Sequence, residues 1–122
     1  MADVLVDTSV WIDYLRAGDP RLSSLLSSNQ VVIHPMIIGE LACGHLKNRK
    51  SLMALWTRLN SLAPASHDEV LYYIQQHRLM GKGIGYIDAH LLAAVTLATE
   101  VKLWTNDKRL ASLASSLTLN LG

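Results

Sequence analysis

The sequence contains no phenylalanine and a single cysteine, Cys43. One cysteine cannot form a disulfide within the chain, and without Cys and His companions at ligand spacing it argues against a zinc site. No apolar run approaches the roughly 20 residues that cross a membrane. Asp3 and Asp7 interrupt the N-terminus where the apolar part of a signal peptide would stand. We therefore expect a protein of the reducing cytoplasm that makes no use of a membrane.

The chain nevertheless has enough apolar material to build a core. Half of its 122 residues are apolar, which predicts one globular domain over residues 1–122 rather than a disordered chain. Because phenylalanine is absent, that core must consist of Leu, Ile, Val, Ala and three tryptophans.

Short apolar runs alternate with amphipathic segments along the whole chain. Five segments predict strands, at 4–6, 31–33, 61–65, 102–105 and 117–120. The third of these is an edge strand, because Pro64 interrupts it. Seven segments predict helices, at 9–16, from residue 20 onward, and at 35–44, 49–59, 66–80, 86–99 and 107–115. This alternation predicts an α/β fold with one parallel sheet flanked by helices.

Two aspartates each follow a predicted strand. Asp7 comes directly after the apolar run 4–6, and Asp107 follows the run that ends at Thr105. In open α/β sheets the carboxyl ends of the strands form the edge where ligands bind. If the two strands are neighbours, their carboxylates meet at that edge, although helix capping alone would also explain Asp107.

Two further acids lie on predicted helices. Asp88 falls inside the apolar arc of its helix, whereas a solvated aspartate would be expected on the side of His90, Ala93 and Leu97. Glu40 lies on the border of the buried face of its helix. Taken alone, Asp88 also fits a buried N-terminal cap, and Glu40 fits a boundary residue paired with a nearby cation.

Together the four acids predict a metal site. Carboxylates that converge at one sheet edge repel each other unless a cation neutralises them, and oxygen ligands select Mg²⁺ or Mn²⁺ over zinc. Eleven Lys and Arg face ten acids, so a pocket of four acids would leave a basic surface suited to a polyanion. An ordinary mixed surface fits the same charge count. An acidic metal pocket of this kind indicates phosphodiester hydrolysis.

The segments that carry these acids resemble the PIN-domain nucleases, and more narrowly the toxin ribonucleases of bacterial VapBC toxin–antitoxin modules. The resemblance covers essentially the whole chain and rests on four segments, VLVDTSVWID at 4–13, IGELA at 38–42, GIGYIDAHLL at 83–92 and LWTND at 103–107. It implies a PIN-like three-layer fold with about five parallel strands. It also implies dependence on Mg²⁺ or Mn²⁺, an RNA substrate, homodimers, a bacterial cytoplasm, and inhibition by a cognate VapB-type antitoxin.

The resemblance also assigns roles to the four acids. Asp7 and Asp88 would bind the metal directly, Asp107 directly or through water, and Glu40 would orient a water or complete the coordination. The chain would then be an endoribonuclease toxin. Attack by water rather than by the RNA 2′-hydroxyl would leave 5′-phosphate and 3′-hydroxyl ends.

Two other functions compete with this one. A catalytically silent PIN-fold protein that binds RNA or acts as a scaffold would share the fold. A receiver-like phosphorylation domain also uses an acidic Mg²⁺ pocket, but it would need adjacent acids after the first strand and a phosphoacceptor Asp after a middle strand. The sequence has neither.

Hydroxyl and amide side chains adjoin the acids. Thr8 and Ser9 could offer hydroxyls to metal waters or to a substrate phosphate, and Asn106 could contact the substrate. Plain helix capping would equally explain Thr8 and Ser9.

Basic side chains adjoin the acid-bearing segments as well. Arg78 and Lys82 bracket the loop before the Asp88 helix, and Lys108 and Arg109 follow Asp107. Contacts to RNA phosphates are therefore plausible at Arg78, Lys82 and Lys108, although solvated charges at helix ends fit the same positions.

Two outer helices carry more apolar surface than a monomer needs. The residues concerned are Trp11, Ile12, Tyr14, Leu15, Trp56 and Leu59. We expect part of this surface to receive an antitoxin segment or a second copy of the chain, with core packing as the alternative.

Overall fold

The computed structural model describes residues 2–121. Within them lie four strands, β1 (Asp3–Val6), β2 (Val31–Ile33), β3 (Asn60–Ser61) and β4 (Val101–Trp104). The helices are α1 (Thr8–Ala17), α2 (Pro20–Ser27), α3 (Pro35–Ala42), α4 (Arg49–Arg58), α5 (His67–His77), α6 (Tyr86–Leu97) and α7 (Lys108–Ser116). No helix in this range is both long and apolar enough to cross a membrane.

The strands form one parallel sheet in the order β3-β2-β1-β4. The predicted α/β class is therefore confirmed. β1 lies at the centre because its apolar run is buried on both faces: Val4, Leu5 and Val6 are each at most 1% exposed. The chain builds the sheet outward from β1 to β3 and then returns to place β4 on the other side of β1.

The expected fifth strand at 117–120 is wrong, and the described sheet has four strands. This segment meets β4 at one bridge, between Leu103 and Asn120, with Leu103 bonded to Leu119 and Leu121. Thr118 has a φ of +60°, so the chain turns there and cannot run extended. The edge strand begins earlier and ends earlier than expected, at 60–61 instead of 61–65.

The capping box predicted at the start of α5 is present. The Ser66 hydroxyl accepts from the Glu69 N–H, and the Glu69 carboxylate accepts from the Ser66 N–H. The helix ends at His77 and not at Met80, because Arg78 adopts the left-handed conformation with a φ of +53°.

Helix α6 is buried almost all round, from Ala89 to Val95. The expectation that His90, Ala93 and Leu97 face solvent is wrong for the first two, which are 4% and 2% exposed, and right for Leu97. The reason is tertiary, because α6 contacts both β4 and α5. An apolar stripe on one helix cannot reveal that a second helix covers its other side.

A pair of histidines is buried where β2 ends. His34 is 0% exposed, and its Nδ1 accepts from the Met36 N–H at the start of α3. Its ring lies 6.1 Å from that of His90. Burial and the neighbouring His90 lower the pKa of His34 to about 4, so His34 is neutral at physiological pH.

We predict that His34 makes the protein acid-sensitive. The pKa of His34 in the folded protein lies below the unfolded value of 6.5. Its contribution to the free energy of unfolding is therefore complete above pH 6.5 and is lost as the pH falls toward 4. The limiting slope is about 1.4 kcal/mol of unfolding free energy per pH unit for one proton. Urea unfolding between pH 7 and pH 5 should show a smaller loss in His34→Asn, which keeps a capping oxygen. The exposed His45→Asn is the control, and equal losses in both variants would contradict the assignment.

Candidate active site

The sheet order places a crevice between the carboxyl ends of β1 and β4. These strands pair from Asp3–Val101 to Val6–Trp104, and the pairing continues as the Asp7 N–H donates to the Trp104 carbonyl at 2.9 Å. The order of strands along the sheet reverses at this pair, and such switch points are where α/β sheets bind ligands. The assumption that the strands before Asp7 and Asp107 are neighbours is correct.

Asp7 is the innermost of the four acids, only 6% exposed. Its Oδ2 accepts from the Ser9 hydroxyl at 2.9 Å and from the Thr105 hydroxyl at 2.7 Å. A nearly buried carboxylate requires such donors, because burial without them costs several kcal/mol or more. Both hydroxyl hydrogen bonds use Oδ2, and so neither occupies Oδ1.

Thr105 connects Asp7 to Asp107. Its Oγ1 donates to Asp7 and accepts from the Asp107 N–H at 3.0 Å. The Asp107 side chain is exposed and caps α7 by accepting from the Leu110 N–H at 3.0 Å. One buried hydroxyl therefore sets the positions of two acid-bearing segments that are a hundred residues apart in sequence.

Glu40 reaches the crevice from α3. It is exposed, not at the border of the buried face as its periodicity suggested, and its Oε1 accepts from the Thr8 hydroxyl at 2.8 Å. Thr8 follows Asp7 directly, so this hydrogen bond ties Glu40 to the end of β1.

Asp88 lies in the first turn of α6 and is half-buried. Burial raises its pKa, as do the negative charges of Asp7, Asp107 and Glu40, while a hydrogen bond from the Gly85 N–H at 3.3 Å opposes the rise. The charges of the other three acids reach Asp88, so the structure brings all four into one electrostatic environment.

The chemistry of this donor set fits a hard divalent cation. Carboxylate and hydroxyl oxygens are the ligands that Mg²⁺ and Mn²⁺ prefer, and a cation would relieve the repulsion that raises the pKa of Asp88. Residues 2–121 hold no ready-made group of three His, Cys, Asp or Glu side chains around one point. Three of the carboxylates instead accept hydrogen bonds from a neighbouring hydroxyl or from their own helix ends.

The side chains of Ser9 and Asn106 differ in their relation to the crevice. Ser9 bonds to Asp7 and accepts from the Asn106 N–H at 3.0 Å, so it belongs to the crevice. The Asn106 amide turns outward and donates to Asp13 at 2.8 Å.

The three basic candidates do not all lie in the same place. Lys82 and Lys108 line one cleft beside the crevice, whereas Arg78 stands at the end of α5 and does not line it.

Thr105 is a residue whose role the sequence did not reveal. The sequence placed Thr105 only at the end of a predicted strand, and the available signal was that a buried strand ends in a hydroxyl-bearing β-branched residue. Only the pairing of β1 with β4 shows that this hydroxyl faces Asp7.

Comparison with known proteins defines the class of protein. The model of the PIN domain family matches residues 4–115, and the chain belongs to that family. It is a VapC-type member: it is 47% identical over 107 residues to Ribonuclease VapC32 from two strains of Mycobacterium tuberculosis, CDC 1551 / Oshkosh and ATCC 25618 / H37Rv. Each match covers 88% of this chain and 86% of the relative.

A solved structure supports the fold. PAE2754 from Pyrobaculum aerophilum superposes with a TM-score of 0.65, covering 95% of this chain and 92% of its own. Its sequence identity is 17%, so this likeness concerns the fold alone.

We predict that Thr105→Val lowers the unfolding free energy by about 1–3 kcal/mol, since it removes a hydrogen bond to a buried carboxylate and leaves the Asp107 N–H without its acceptor. Thr105→Ser keeps the hydroxyl and should lose less. Urea unfolding of both variants measures the difference. A valine variant as stable as the serine variant would show that the bridge contributes nothing.

Proposed function

We propose that the chain is a metal-dependent endoribonuclease toxin that works as a single PIN domain in the bacterial cytoplasm. The observation that carries the proposal is the convergence of four acid-bearing segments on the switch point, where burial raises the pKa of Asp88 and the charges of Asp7, Asp107 and Glu40 raise it further. The relative at 47% identity is named a ribonuclease, which supports RNA as the substrate.

We assign the cofactor as Mg²⁺ or Mn²⁺. Asp7, Asp88 and Asp107 would hold it, with Glu40 completing the set directly or through water. When bound, such an ion neutralises phosphate oxygens and lowers the pKa of water.

The protein side chains position the reacting groups. Water attacks the phosphorus in line, a new P–O bond forms, and the bond to the 3′ oxygen breaks as that oxygen takes a proton. Glu40 is exposed and held by Thr8, which suits it to orient the attacking water. The product ends are a 5′-phosphate and a 3′-hydroxyl, and a cyclic phosphate end would exclude this course.

We predict that Asp88→Asn reduces metal-dependent cleavage of total cellular RNA by at least about 100-fold, because changes even to partners of metal ligands cost about 10–100-fold. The fold should be retained. The melting temperature at neutral pH should not fall, since the variant removes a charge that burial and its neighbours disfavour. Stabilisation of the wild type by Mn²⁺ should disappear in the variant.

Asp68→Asn is the matched control for this experiment. Asp68 lies in the first turn of α5, as Asp88 lies in the first turn of α6, but Asp68 is exposed and its replacement should leave cleavage unchanged. If the wild type binds Mn²⁺ and RNA but makes no cuts, the silent RNA-binding or scaffold function is favoured.

An apolar groove that α1 helps to form supports the antitoxin as a partner. It has a volume of about 1000 Å³ and lies between α1, α4 and the segment that joins α3 to α4. Ile12, Leu15 and Leu55 line it and are 48%, 38% and 36% exposed. Trp11 and Trp56, which we expected at this surface, are fully buried and pack edge to face. We propose that a cognate antitoxin segment fills the groove.

We also propose that the chain forms homodimers. Leu71 and Tyr72 of α5 are 48% and 68% exposed, and they lie outside the groove. A second copy would cover them without competing for the antitoxin surface.

We predict that Ile12→Glu weakens inhibition by the cognate antitoxin by about tenfold or more, equivalent to about 1.4 kcal/mol, because it places a charge in an apolar contact. Cleavage without antitoxin should be unchanged. Leu97→Glu is the control, since Leu97 is an apolar residue outside the groove that is more exposed than Ile12, at 66% against 48%. Inhibition that is insensitive to Ile12 would place the antitoxin elsewhere.

A further inference from the structure

A second concave surface lies beside the acid crevice. It has a volume of about 460 Å³ and is formed by the glycine-containing loop before α6 and one side of α7. We call it the basic cleft, and its lining residues are Lys82, Lys108, Arg109, Ser112, Leu113 and Ser116. Three are cations and two carry hydroxyls, and no acid is among them.

The cations of the basic cleft have no carboxylate partners. Within residues 2–121 the single salt bridge joins Arg16 to Asp13, on α1. Lys82, Lys108 and Arg109 are all exposed. Their charges therefore remain available to an anion from solution, although Asp107 is the immediate sequence neighbour of Lys108.

The Arg109 side chain lies against the glycine loop. A Cβ added to Gly83 would lie 2.6 Å from Arg109 Cδ and 2.8 Å from Nη1, closer than atoms can approach. The arginine side chain thus lies directly across Gly83, whose φ of +82° also favours glycine. A guanidinium presents a planar fork of N–H donors that matches a phosphate, which a lysine ammonium does not.

The basic cleft and the acid crevice share their segments. Lys108 directly follows Asp107, and the loop that carries Lys82 and Gly83 runs into Gly85, whose N–H bonds to Asp88. A strand that binds in the crevice therefore has these cations close to it. Ser112 and Ser116 lie one turn apart on α7 and continue the cleft away from the acids.

We propose that the basic cleft binds a backbone phosphate of the RNA next to the bond that is cleaved, with Arg109 as its main contact. This inference rests on the proposed function, since it takes RNA as the ligand. Cations that contact phosphate position the strand without reading its bases. The basic cleft therefore fixes where the strand lies and leaves base preference to other parts of the surface.

The test measures RNA binding without cleavage. A short fluorescein-labelled single-stranded RNA of mixed sequence is titrated with the full chain in EDTA, and fluorescence anisotropy is followed at several salt concentrations. Arg109→Ala should weaken binding about tenfold and lower the slope of log affinity against log salt by about 0.7, the value for one phosphate contact on a single strand. Arg109→Lys should keep the slope and lose only part of the affinity.

Arg58→Ala is the charge-matched control, since Arg58 is exposed on α4 and does not line the basic cleft. Two glycine variants test the position of Arg109. Gly81 and Gly83 both have a positive φ, but a Cβ at Gly81 meets nothing within 4 Å. Gly83→Ala should therefore displace the Arg109 side chain and weaken binding, by no more than Arg109→Ala does, whereas Gly81→Ala, with similar backbone strain, should not.

The outcomes separate this inference from the nuclease activity. An unchanged salt slope in Arg109→Ala, or a defect no larger than that of Arg58→Ala, would overturn it even if Asp88→Asn abolishes cleavage. Normal RNA binding with lost antitoxin inhibition would assign the cleft to the partner protein and also overturn it. If cleavage is absent but Arg109→Ala still lowers the salt slope, the RNA site stands and the nuclease proposal fails. If Arg109→Ala does not fold, Arg109→Gln, which removes the same charge, decides by the same slope.

Discussion

The pairing of β1 with β4 is the interaction on which the rest of the site depends. It joins the first strand of the chain to the last, from Asp3–Val101 to Val6–Trp104, and both strands are largely buried. Because parallel strands present their carboxyl ends at the same edge, the register of this one pair brings Asp7 and the segment 105–107 together. A slip of one residue would turn each side chain to the other face of the sheet and would separate Thr105 from Asp7. The core thus determines the geometry of the polar crevice.

Charge crowding in the crevice opposes the stability of the fold. Burial and three neighbouring carboxylates raise the pKa of Asp88, so its charged form is less stable in the folded protein than in the unfolded chain. Asp7 accepts hydrogen bonds from two hydroxyls, whereas Asp88 accepts one from an N–H at 3.3 Å. The molecule keeps a costly carboxylate where a neutral side chain would suit the fold better. Such a feature has a physical rationale if the site is built for a cation.

Local patterns in the sequence predicted the class of fold and the position of the acids. Features that depend on contacts between distant segments were predicted wrongly or missed. Apolar runs that end in Asp7 and Asp107 indicated the class of fold and the edge that carries the acids. The prediction of a fifth strand was wrong because an apolar run does not reveal the positive φ of Thr118. His90 and Ala93 were wrongly assigned to solvent because α5 covers them, and hydrophobic periodicity within one helix contains no information about a second helix. The roles of Thr105 and Arg109 depend on atoms contributed by β1 and by the glycine loop.

Acidic and basic side chains stand close together in two short segments, the loop before α6 and the start of α7, yet they do not pair. The reason is the local contacts that these side chains make. Asp107 caps its own helix through Leu110, and Asp88 accepts from Gly85, so neither carboxylate turns toward the adjacent lysines. Arg109 lies across Gly83 and forms no salt bridge with the acids of residues 2–121. If these groups had paired with each other, the negative charge of the crevice and the positive charge of the basic cleft would have cancelled. Helix capping, which by itself would explain both aspartates, therefore also keeps the acid crevice and the basic cleft electrically distinct, as the two proposed binding sites require.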